Sequence, residues 1–159
     1  MSTRKIIGVP KTASLQKASA IKIGIVVSQW HHDITDVLLS GALLYLKSQR
    51  ITTKNIRIDF VPGSFELPLG AQWQLEQGVD ATICLGCVIK GETKHFDFIC
   101  NAVAMGIKDL NLKFSKPVMF GVLTPNTLKQ AQQRAGGKHG NKGHDAAQAA
   151  VQMLVLQGK

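Results

Sequence analysis

One eight-residue stretch, residues 90–97, carries the densest set of groups that could do chemistry. It reads Lys-Gly-Glu-Thr-Lys-His-Phe-Asp, with Thr93 and His95 near its centre. A glycine, a hydroxyl group and the free backbone amides at the start of a helix can bind an anion, and the imidazole of His95 can transfer protons near neutral pH. Because a lone histidine is more often structural, this stretch by itself predicts only a candidate site.

A second stretch, residues 61–68, reads Val-Pro-Gly-Ser-Phe-Glu-Leu-Pro. Gly63 permits a tight turn, and Ser64 is a suitable cap for a following helix. Glu66 either binds a polar ligand or only complements the dipole of that helix.

Aromatic and basic groups occur in two further loops. Trp30 could stack on a flat heterocycle, although packing is the commoner role of such a residue, and the adjacent His31 and His32 lack metal-ligand spacing and are interpreted as solvated. Arg134 begins a glycine-rich basic segment and could bind a phosphate through its planar guanidinium, with a solvated helix end as the alternative. Neither a Walker loop nor a G-x-G-x-x-G motif after the first strand is present.

These loops follow short apolar runs that alternate with segments of helical period. The predicted strands are 21–27, 56–61, 81–88 and 117–123, and the predicted helices are 33–49, 66–77, 96–112, 125–135 and 145–156. Thr124 with Pro125 is the expected start of the fourth helix. The pattern predicts an α/β fold: a three-layer αβα sandwich with a four-stranded parallel, flavodoxin-like sheet of order 2-1-3-4 and helices on both faces. Ligands bind at the carboxyl ends of such strands, which nominates residues 28–32, 63–66, 90–95 and Thr124.

Length and composition restrict the class of protein. The 159 residues are 45% hydrophobic and 18% charged, which is typical of one globular domain, and no apolar run is long enough to cross a membrane. Three cysteines do not make a disulfide framework, so a reducing compartment is expected. The net charge of +9 is concentrated in residues 1–22 and 116–142, neither of which contains an acidic residue between its basic ones. Residues 1–20 are expected to be an N-terminal arm and residues 21–159 the domain.

Four ordered segments together resemble one family, the lumazine synthases of riboflavin biosynthesis. They are residues 61–68, residues 85–96, residues 120–124, and residues 134–136 with 140–143. The resemblance implies condensation of 5-amino-6-(D-ribitylamino)uracil with 3,4-dihydroxy-2-butanone 4-phosphate to 6,7-dimethyl-8-ribityllumazine, with release of phosphate and water. It also implies a transferase that needs no metal or organic cofactor.

The resemblance further implies a role for each matching residue. His95 would transfer protons, and Trp30 would stack on the pyrimidine. Residues 64–66 would bind the pyrimidine edge and the ribityl hydroxyls, residues 87–89 would line the pocket, and residues 92–93 would receive the phosphate with the help of Arg134. The implied substrate-binding residues are Trp30, Ser64, Phe65, Glu66, Cys87, Val88, Ile89, Glu92, Thr93, Phe120, Arg134 and Lys142. The part of the site contributed by a neighbouring subunit would be Phe120, Arg134 and Lys142.

The family pattern also raises expectations about assembly. Members form pentamers or icosahedra of twelve pentamers, and the short 136–140 turn is similar to that of the icosahedral type, so a 60-subunit particle, cytoplasmic and associated with riboflavin synthase, is expected. Trp30 replaces the more usual phenylalanine, and His144 stands where tryptophan is frequent. Asp145 replaces a longer glutamate, which leaves open whether this carboxylate reaches Lys142.

Three other functions compete with synthase activity. A flavin- or lumazine-binding paralogue without activity would use the same residues. A nucleic-acid module would fit the basic charge, but aromatic and basic residues are not interleaved on one element. A purely structural shell would leave Thr93, His95 and Arg134 without a reason.

Overall fold

The computed structural model describes residues 14–159, which contain five α-helices and six strands. The strands are β1 Ile23–Ser28, β2 Ile56–Val61, β3 Ala81–Cys87, β4 Val118–Leu123, β5 Ala135–Gly137 and β6 Gly140–Asn141. The helices are α1 His32–Ser48, α2 Leu67–Glu76, α3 His95–Phe114, α4 Leu128–Arg134 and α5 Lys142–Leu156. Short 3₁₀ turns at Ala18–Ala20, Thr53–Asn55 and Ser64–Glu66 precede β1, β2 and α2.

The main sheet is parallel and has the order β2-β1-β3-β4, which confirms the predicted topology. The register pairs Ser28 with Val61 and Cys87 with Leu123, so the carboxyl ends of the strands lie at one edge. Every connection between neighbouring parallel strands contains a helix, as this geometry requires. The loops singled out by their chemistry therefore emerge at the edge where such sheets bind ligands.

Helices cover both faces of the sheet because alternate side chains of the buried strands point to opposite sides. In β1, Ile23, Ile25 and Val27 pack in a cluster with α1 and α5, while Val26 belongs to the cluster formed with α2 and α3. All four of these side chains are fully buried. The three-layer αβα arrangement is thus built from strands that are apolar on both faces.

The predicted start of the fourth helix is wrong. Helix α4 begins at Leu128, and its cap is Thr127, whose hydroxyl accepts a hydrogen bond from the Gln130 amide at 3.2 Å. Pro125 stays outside the helix because its carbonyl accepts a hydrogen bond from the Lys90 amide at 2.9 Å. The loops that follow β3 and β4 are therefore connected by a backbone hydrogen bond.

The predicted start of the last helix, Asp145, is three residues too late. Asn141 caps α5, since its side-chain oxygen accepts hydrogen bonds from the amides of Gly143 at 2.9 Å and His144 at 3.1 Å. Gly143 lies so close to α1 that an added Cβ would come within 1.9 Å of the Leu38 carbonyl oxygen. Helix α5 therefore starts where Asn141 caps its first amides and where Gly143 permits close contact with α1.

Strands β5 and β6 form a small antiparallel hairpin that the periodicity did not predict. Gly136 and Gly140 both have positive φ angles, +94° and +75°, which glycine adopts without a steric penalty. The hairpin joins the end of α4 to the start of α5 and so connects Arg134 to Lys142. Of the helices within residues 14–159, none combines the length and the hydropathy of a membrane span.

Candidate active site

A cavity of about 480 Å³ opens where β1, β2 and β3 end, and we call it the His95 cavity. The loops after these strands supply nearly all of its wall, and the first turns of α3 complete it. Its lining residues are Trp30, His31, Gly63, Ser64, Phe65, Glu66, Cys87, Val88, Ile89, His95 and Ile99.

The aromatic wall of this cavity is open to solvent. Trp30 is 69% exposed and Phe65 is 58% exposed, although both are large apolar side chains. The indole lies against Gly63, where an added Cβ would be 3.2 Å from Trp30 Cδ1. A flat heterocycle lying on the indole would cover apolar surface that otherwise faces water.

The turn after β2 is fixed by Glu66 rather than by Ser64. The Gly63 amide donates a hydrogen bond to Glu66 Oε2 at 2.9 Å, so this carboxylate closes the 3₁₀ turn that precedes α2. Ser64 Oγ is buried and has no hydrogen-bond partner within the described residues, and an added Cβ on Gly86 would be 2.6 Å from it. The expected capping role of Ser64 is therefore wrong, and its hydroxyl packs over β3 beside the cavity.

The end of β3 provides an apolar and unreactive wall. The Val88 amide donates a hydrogen bond to the Leu123 carbonyl at 2.8 Å, which continues the β3–β4 pairing beyond the strand. Burial raises the pKa of the Cys87 thiol to about 12. The thiol is therefore protonated at neutral pH and contributes packing rather than a nucleophile.

His95 is the first residue of α3, and its side chain is exposed at the mouth of the cavity. Its amide donates a hydrogen bond to Thr93 Oγ1 at 3.3 Å, so Thr93 holds the start of the helix. Within residues 14–159 the imidazole has no hydrogen-bond partner of its own, which leaves both ring nitrogens available. Glu92 and Thr93 are exposed and line neither this cavity nor the next one.

A separate cavity of about 660 Å³ lies beyond β4, and we call it the Arg134 cavity. Arg134 Nη1 donates a hydrogen bond to the Gln130 carbonyl at 3.3 Å, which holds the guanidinium along α4. Lys142 Nζ lies 2.7 Å from Asp145 Oδ2, so the shorter carboxylate does reach the lysine. The lining residues are Phe120, Gly121, Val122, Leu123, Thr124, Pro125, Asn126, Gln130, Arg134, Lys142, Asp145, Ala146 and Ala149.

The residues predicted from the sequence thus fall into three groups. Trp30, the three residues 64–66, the three residues 87–89 and His95 line the His95 cavity. Another three line the Arg134 cavity, namely Phe120, Arg134 and Lys142. Glu92 and Thr93 lie on the loop before α3. The predicted residues that line cavities therefore lie in two separate cavities and not in one.

Three lining residues of the His95 cavity were not among the predicted site residues, namely Gly63, which was expected only to form the turn, Ile99 and His31. Ile99 lies one turn after His95 on α3 and belongs to an ordinary apolar pattern. His31 was interpreted as solvated, but it lines the cavity and has a left-handed backbone with φ 56° and ψ 50°. A histidine directly after an aromatic residue at a strand end was the available signal.

Known proteins match the chain over most of its length. A family model for 6,7-dimethyl-8-ribityllumazine synthase matches residues 20–157. A 6,7-dimethyl-8-ribityllumazine synthase of Cytophaga hutchinsonii is 56% identical over 145 residues, which cover 91% of each chain. Synthases of the same name from Porphyromonas gingivalis and Parabacteroides distasonis are 48% identical over 138 residues, covering 86% of each chain, and 46% identical over 142 residues, covering 89% of each chain. The chain therefore belongs to the 6,7-dimethyl-8-ribityllumazine synthase family, whose members are transferases.

Proposed function

We propose that this protein condenses 5-amino-6-(D-ribitylamino)uracil with 3,4-dihydroxy-2-butanone 4-phosphate to form 6,7-dimethyl-8-ribityllumazine. The main support is the His95 cavity, in which an exposed indole, a polar turn and an imidazole from three different loops meet around about 480 Å³. Membership of the synthase family supports the same assignment.

The proposed reaction has four steps. The 5-amino nitrogen of the pyrimidine attacks the ketone carbon, and water leaves to give an imine. Removal of a carbon-bound proton then expels phosphate and leaves an enol, which tautomerises to a carbonyl. The ribityl-bearing nitrogen attacks that carbonyl, and loss of a second water closes the ring.

The chain's own residues mainly position the two substrates in this scheme. Trp30 carries the pyrimidine, while the turn of residues 64–66 binds its polar edge and ribityl hydroxyls. The loop of residues 92–93, at the start of α3, receives the phosphate, and His95 moves the protons of imine formation and phosphate loss. Holding two reactants in near-attack geometry can supply ~7–11 kcal/mol, whereas one general acid or base contributes ~100- to 10,000-fold.

The complete site in this proposal is made by two chains. Arg134, Phe120 and Lys142 line a cavity of their own, so a neighbouring subunit would bring them to the His95 cavity. Large exposed apolar side chains on α2 and α3 support association of several chains. They are Leu69, Trp73, Phe98, Met105 and Leu112. We propose a homopentamer, with twelve pentamers forming a 60-subunit icosahedron. Cyclic symmetry repeats the same interface, and with it the shared site, between every two neighbouring subunits.

The decisive experiment supplies both substrates to the purified protein and follows lumazine absorbance. Product that requires both substrates and rises with protein concentration supports the proposal. Its absence, in protein whose oligomeric state by light scattering is a pentamer or larger, contradicts the proposal. Either substrate alone is the control for background absorbance.

One observation favours a second candidate, a flavin- or lumazine-binding paralogue without synthase activity. The 69% exposure of Trp30 gives an unusually open surface for a tricyclic ring. Quenching of flavin fluorescence, together with no product from the two substrates, would support this candidate.

Three further expectations concern the cellular location, an enzyme partner and the division of the chain. Three cysteines without a disulfide support a cytoplasmic location. Association with riboflavin synthase stays a prediction. The division into an arm of residues 1–20 and a domain of residues 21–159 is also a prediction, and residues 1–13 lie outside the described part of the chain.

A further inference from the structure

The amino ends of the four parallel strands lie at the edge of the sheet opposite the loops of the His95 cavity, and we call the surface there the amino-end face. A six-residue strand separates the two edges by about 20 Å. Five segments in which helices end or strands begin form this face. They are residues 14–22, 47–55, 76–80, 113–117 and 157–159.

Hydrogen bonds link the five segments to one another. The linking pairs, each a donor to a carbonyl oxygen, are Asn55 Nδ2 to Ser19 at 2.6 Å, Gln16 N to Lys159 at 3.2 Å, Gln157 Nε2 to Ser115 at 3.2 Å and Lys116 Nζ to Val79 at 2.8 Å. Asp80 adds another link, since its Oδ2 accepts a hydrogen bond from the Lys22 amide at 2.8 Å. The segments therefore form one continuous surface.

This surface carries the whole net side-chain charge of the described residues. Its segments contain eight basic and two acidic residues, whereas the rest of residues 14–159 contains eight of each. Both acidic residues already have partners, because Glu76 accepts a hydrogen bond from Gln72 and Asp80 Oδ1 lies 3.2 Å from Lys159 Nζ. The basic residues are Lys17, Lys22, Lys47, Arg50, Lys54, Lys113, Lys116 and Lys159.

The dipoles of the helices account for only part of this charge. Lys47 and Lys113 lie in the last turns of α1 and α3, where a positive charge is favourable. Lys17, Lys22 and Lys54 instead lie in exposed segments that precede β1 and β2. These three lysines need another reason to be gathered at the same edge.

Arg50 gives a second indication that positive charge is used here. It follows the end of α1 with a φ of 62°, and its amide donates a hydrogen bond to the Lys47 carbonyl at 3.0 Å. The equivalent positions after α2 and α5 are Gly78 and Gly158, with φ angles of 91° and 90°. Glycine adopts this conformation without a steric penalty, so the exposed arginine is held where glycine is the usual residue.

We propose that the amino-end face binds the phosphate backbone of a nucleic-acid duplex without sequence specificity. Lysine and arginine side chains bind such a backbone by displacing its counterions, and a paired duplex needs no aromatic stacking. This inference goes beyond the proposed function, because the face lies away from both cavities. Under the proposed assembly every subunit would present the same face, and weak contacts would add up by multivalency.

The composition of the face favours a duplex over a protein or a membrane. Among the described residues, no exposed large apolar side chain lies within the five segments. The nearest along the chain, Leu112 and Leu156, belong to the helices that precede two of them. The segments therefore lack the apolar centre of a protein interface and the side chains that insert into a lipid surface.

The test measures binding of a fluorescein-labelled DNA duplex of about 30 base pairs to the assembled full-length protein, by fluorescence anisotropy at about 50 and 200 mM NaCl. Two variants each lose three charges from exposed side chains that make no hydrogen bond or ion pair within residues 14–159. The amino-end variant combines Lys22→Gln, Arg50→Gly and Lys54→Gln. The matched control combines Lys94→Gln, Lys129→Gln and Lys138→Gln. Residues 1–13 carry three further basic residues and are the same in every protein compared, so they do not affect the comparison.

We expect the natural protein to bind the duplex at low salt and to lose affinity steeply as salt rises. The amino-end variant should bind about 10- to 100-fold more weakly, and the slope of log K against log salt should decrease by about 1 for each substituted residue. The control should stay within about 3-fold of the natural protein, because its charges lie away from the face. Thermal unfolding and lumazine formation check the variants, and the amino-end variant should keep both.

Three results would overturn this proposal. They are no binding of the duplex by the natural protein at low salt, an equal loss of affinity in both variants, and tighter binding to vesicles of phosphatidylserine and phosphatidylcholine than to DNA. The proposed function is tested separately, since a protein that forms no lumazine can still bind DNA through this face.

Discussion

The indole of Trp30 lies so close to Gly63 that a methyl group at residue 63 would come within 3.2 Å of its Cδ1 atom. The same methyl group would be 3.2 Å from Glu66 Oε2, the oxygen that accepts the Gly63 amide hydrogen bond. One glycine therefore supports both the aromatic platform and the turn that borders it.

Gly63→Ala should displace Trp30, Glu66 or both by a few tenths of an ångström. We expect weaker lumazine binding and a shifted emission of Trp30, measured in a Trp73→Phe background so that one indole reports. Gly91→Ala is the control for emission, since an added Cβ there meets nothing within 4 Å. Unchanged emission and unchanged binding in Gly63→Ala would contradict the close packing.

His95→Ala should lower kcat by about 100- to 10,000-fold and still leave measurable activity, because positioning of the substrates survives the loss of one proton-transfer group. His139→Ala is the control, since that histidine lines neither of the two cavities. Lumazine absorbance under saturating substrates gives kcat, and size-exclusion chromatography checks assembly. Complete loss of turnover in a folded, assembled variant would show that His95 does more than this.

Arg134→Ala should raise the KM of the phosphate substrate by about 10- to 100-fold, the range for a charge-assisted contact with a phosphate. The KM of the pyrimidine should stay close to its normal value. Arg134→Lys should recover only part of the affinity, because an ammonium lacks the planar two-pronged donor set. Lys138→Ala serves as the matched control, and an unchanged phosphate KM in Arg134→Ala would remove Arg134 from the phosphate site.

The buried thiols should resist alkylation. Burial raises the pKa of both Cys84 and Cys87 to about 12, so both thiols are protonated at pH 8 and react slowly. Cys100 has a raised pKa as well, through burial and the charge of Asp97, but it is partly exposed. Mass spectrometry after iodoacetamide treatment should find Cys100 modified first, and Cys84 and Cys87 only after unfolding. Rapid modification of Cys87 in the folded protein would contradict its assignment as a packing residue.

Asp59 should make folding stability depend on acid pH. Partial burial raises the pKa of its carboxyl, but hydrogen bonds from Arg57 and Gln74 and the Arg57 charge together outweigh burial, and the net pKa is lowered. The stabilisation is therefore complete above the pKa of the unfolded carboxyl, about 3.9, and is lost as the pH falls through the lower folded value.

Asp59→Asn should accordingly be less stable than the natural protein at pH 7, and this difference should shrink towards pH 3. Urea unfolding at both pH values measures it, and Asp36→Asn controls for the change in net charge, since Asp36 is exposed and its carboxylate makes no hydrogen bond among the described residues. An equal difference at both pH values would exclude this role for the Asp59 carboxylate.

The apolar pattern was sufficient to predict the sheet and its helices, because β1 is a continuous buried run and buried residues recur at helical spacing in α1 and α3. The starts of α4 and α5 were misplaced, since the capping side chains Thr127 and Asn141 act through local geometry that composition does not report. His31 was interpreted as solvated although it lines the His95 cavity, because adjacent histidines without metal-ligand spacing do not show which of the two faces the cavity.

Residue types and spacing predicted the candidate site as a set of residues, and only the family resemblance divided that set between two subunits. Spacing along the chain cannot tell that His95 and Arg134 line different cavities, because their separation depends on how α4 and the β5–β6 hairpin fold back beyond β4. Spacing also left open whether Asp145 reaches Lys142. The two side chains do meet, because they lie three residues apart in α5.

The separation of the two cavities has a genetic consequence under the proposed assembly. Each functional unit would belong to a pair of neighbours, so damage to one half of a chain leaves its other half usable by the adjacent molecule. Two co-expressed alleles, one defective in the His95 cavity and the other in the Arg134 cavity, would then form some intact sites between subunits. Two alleles defective in the same cavity would form none.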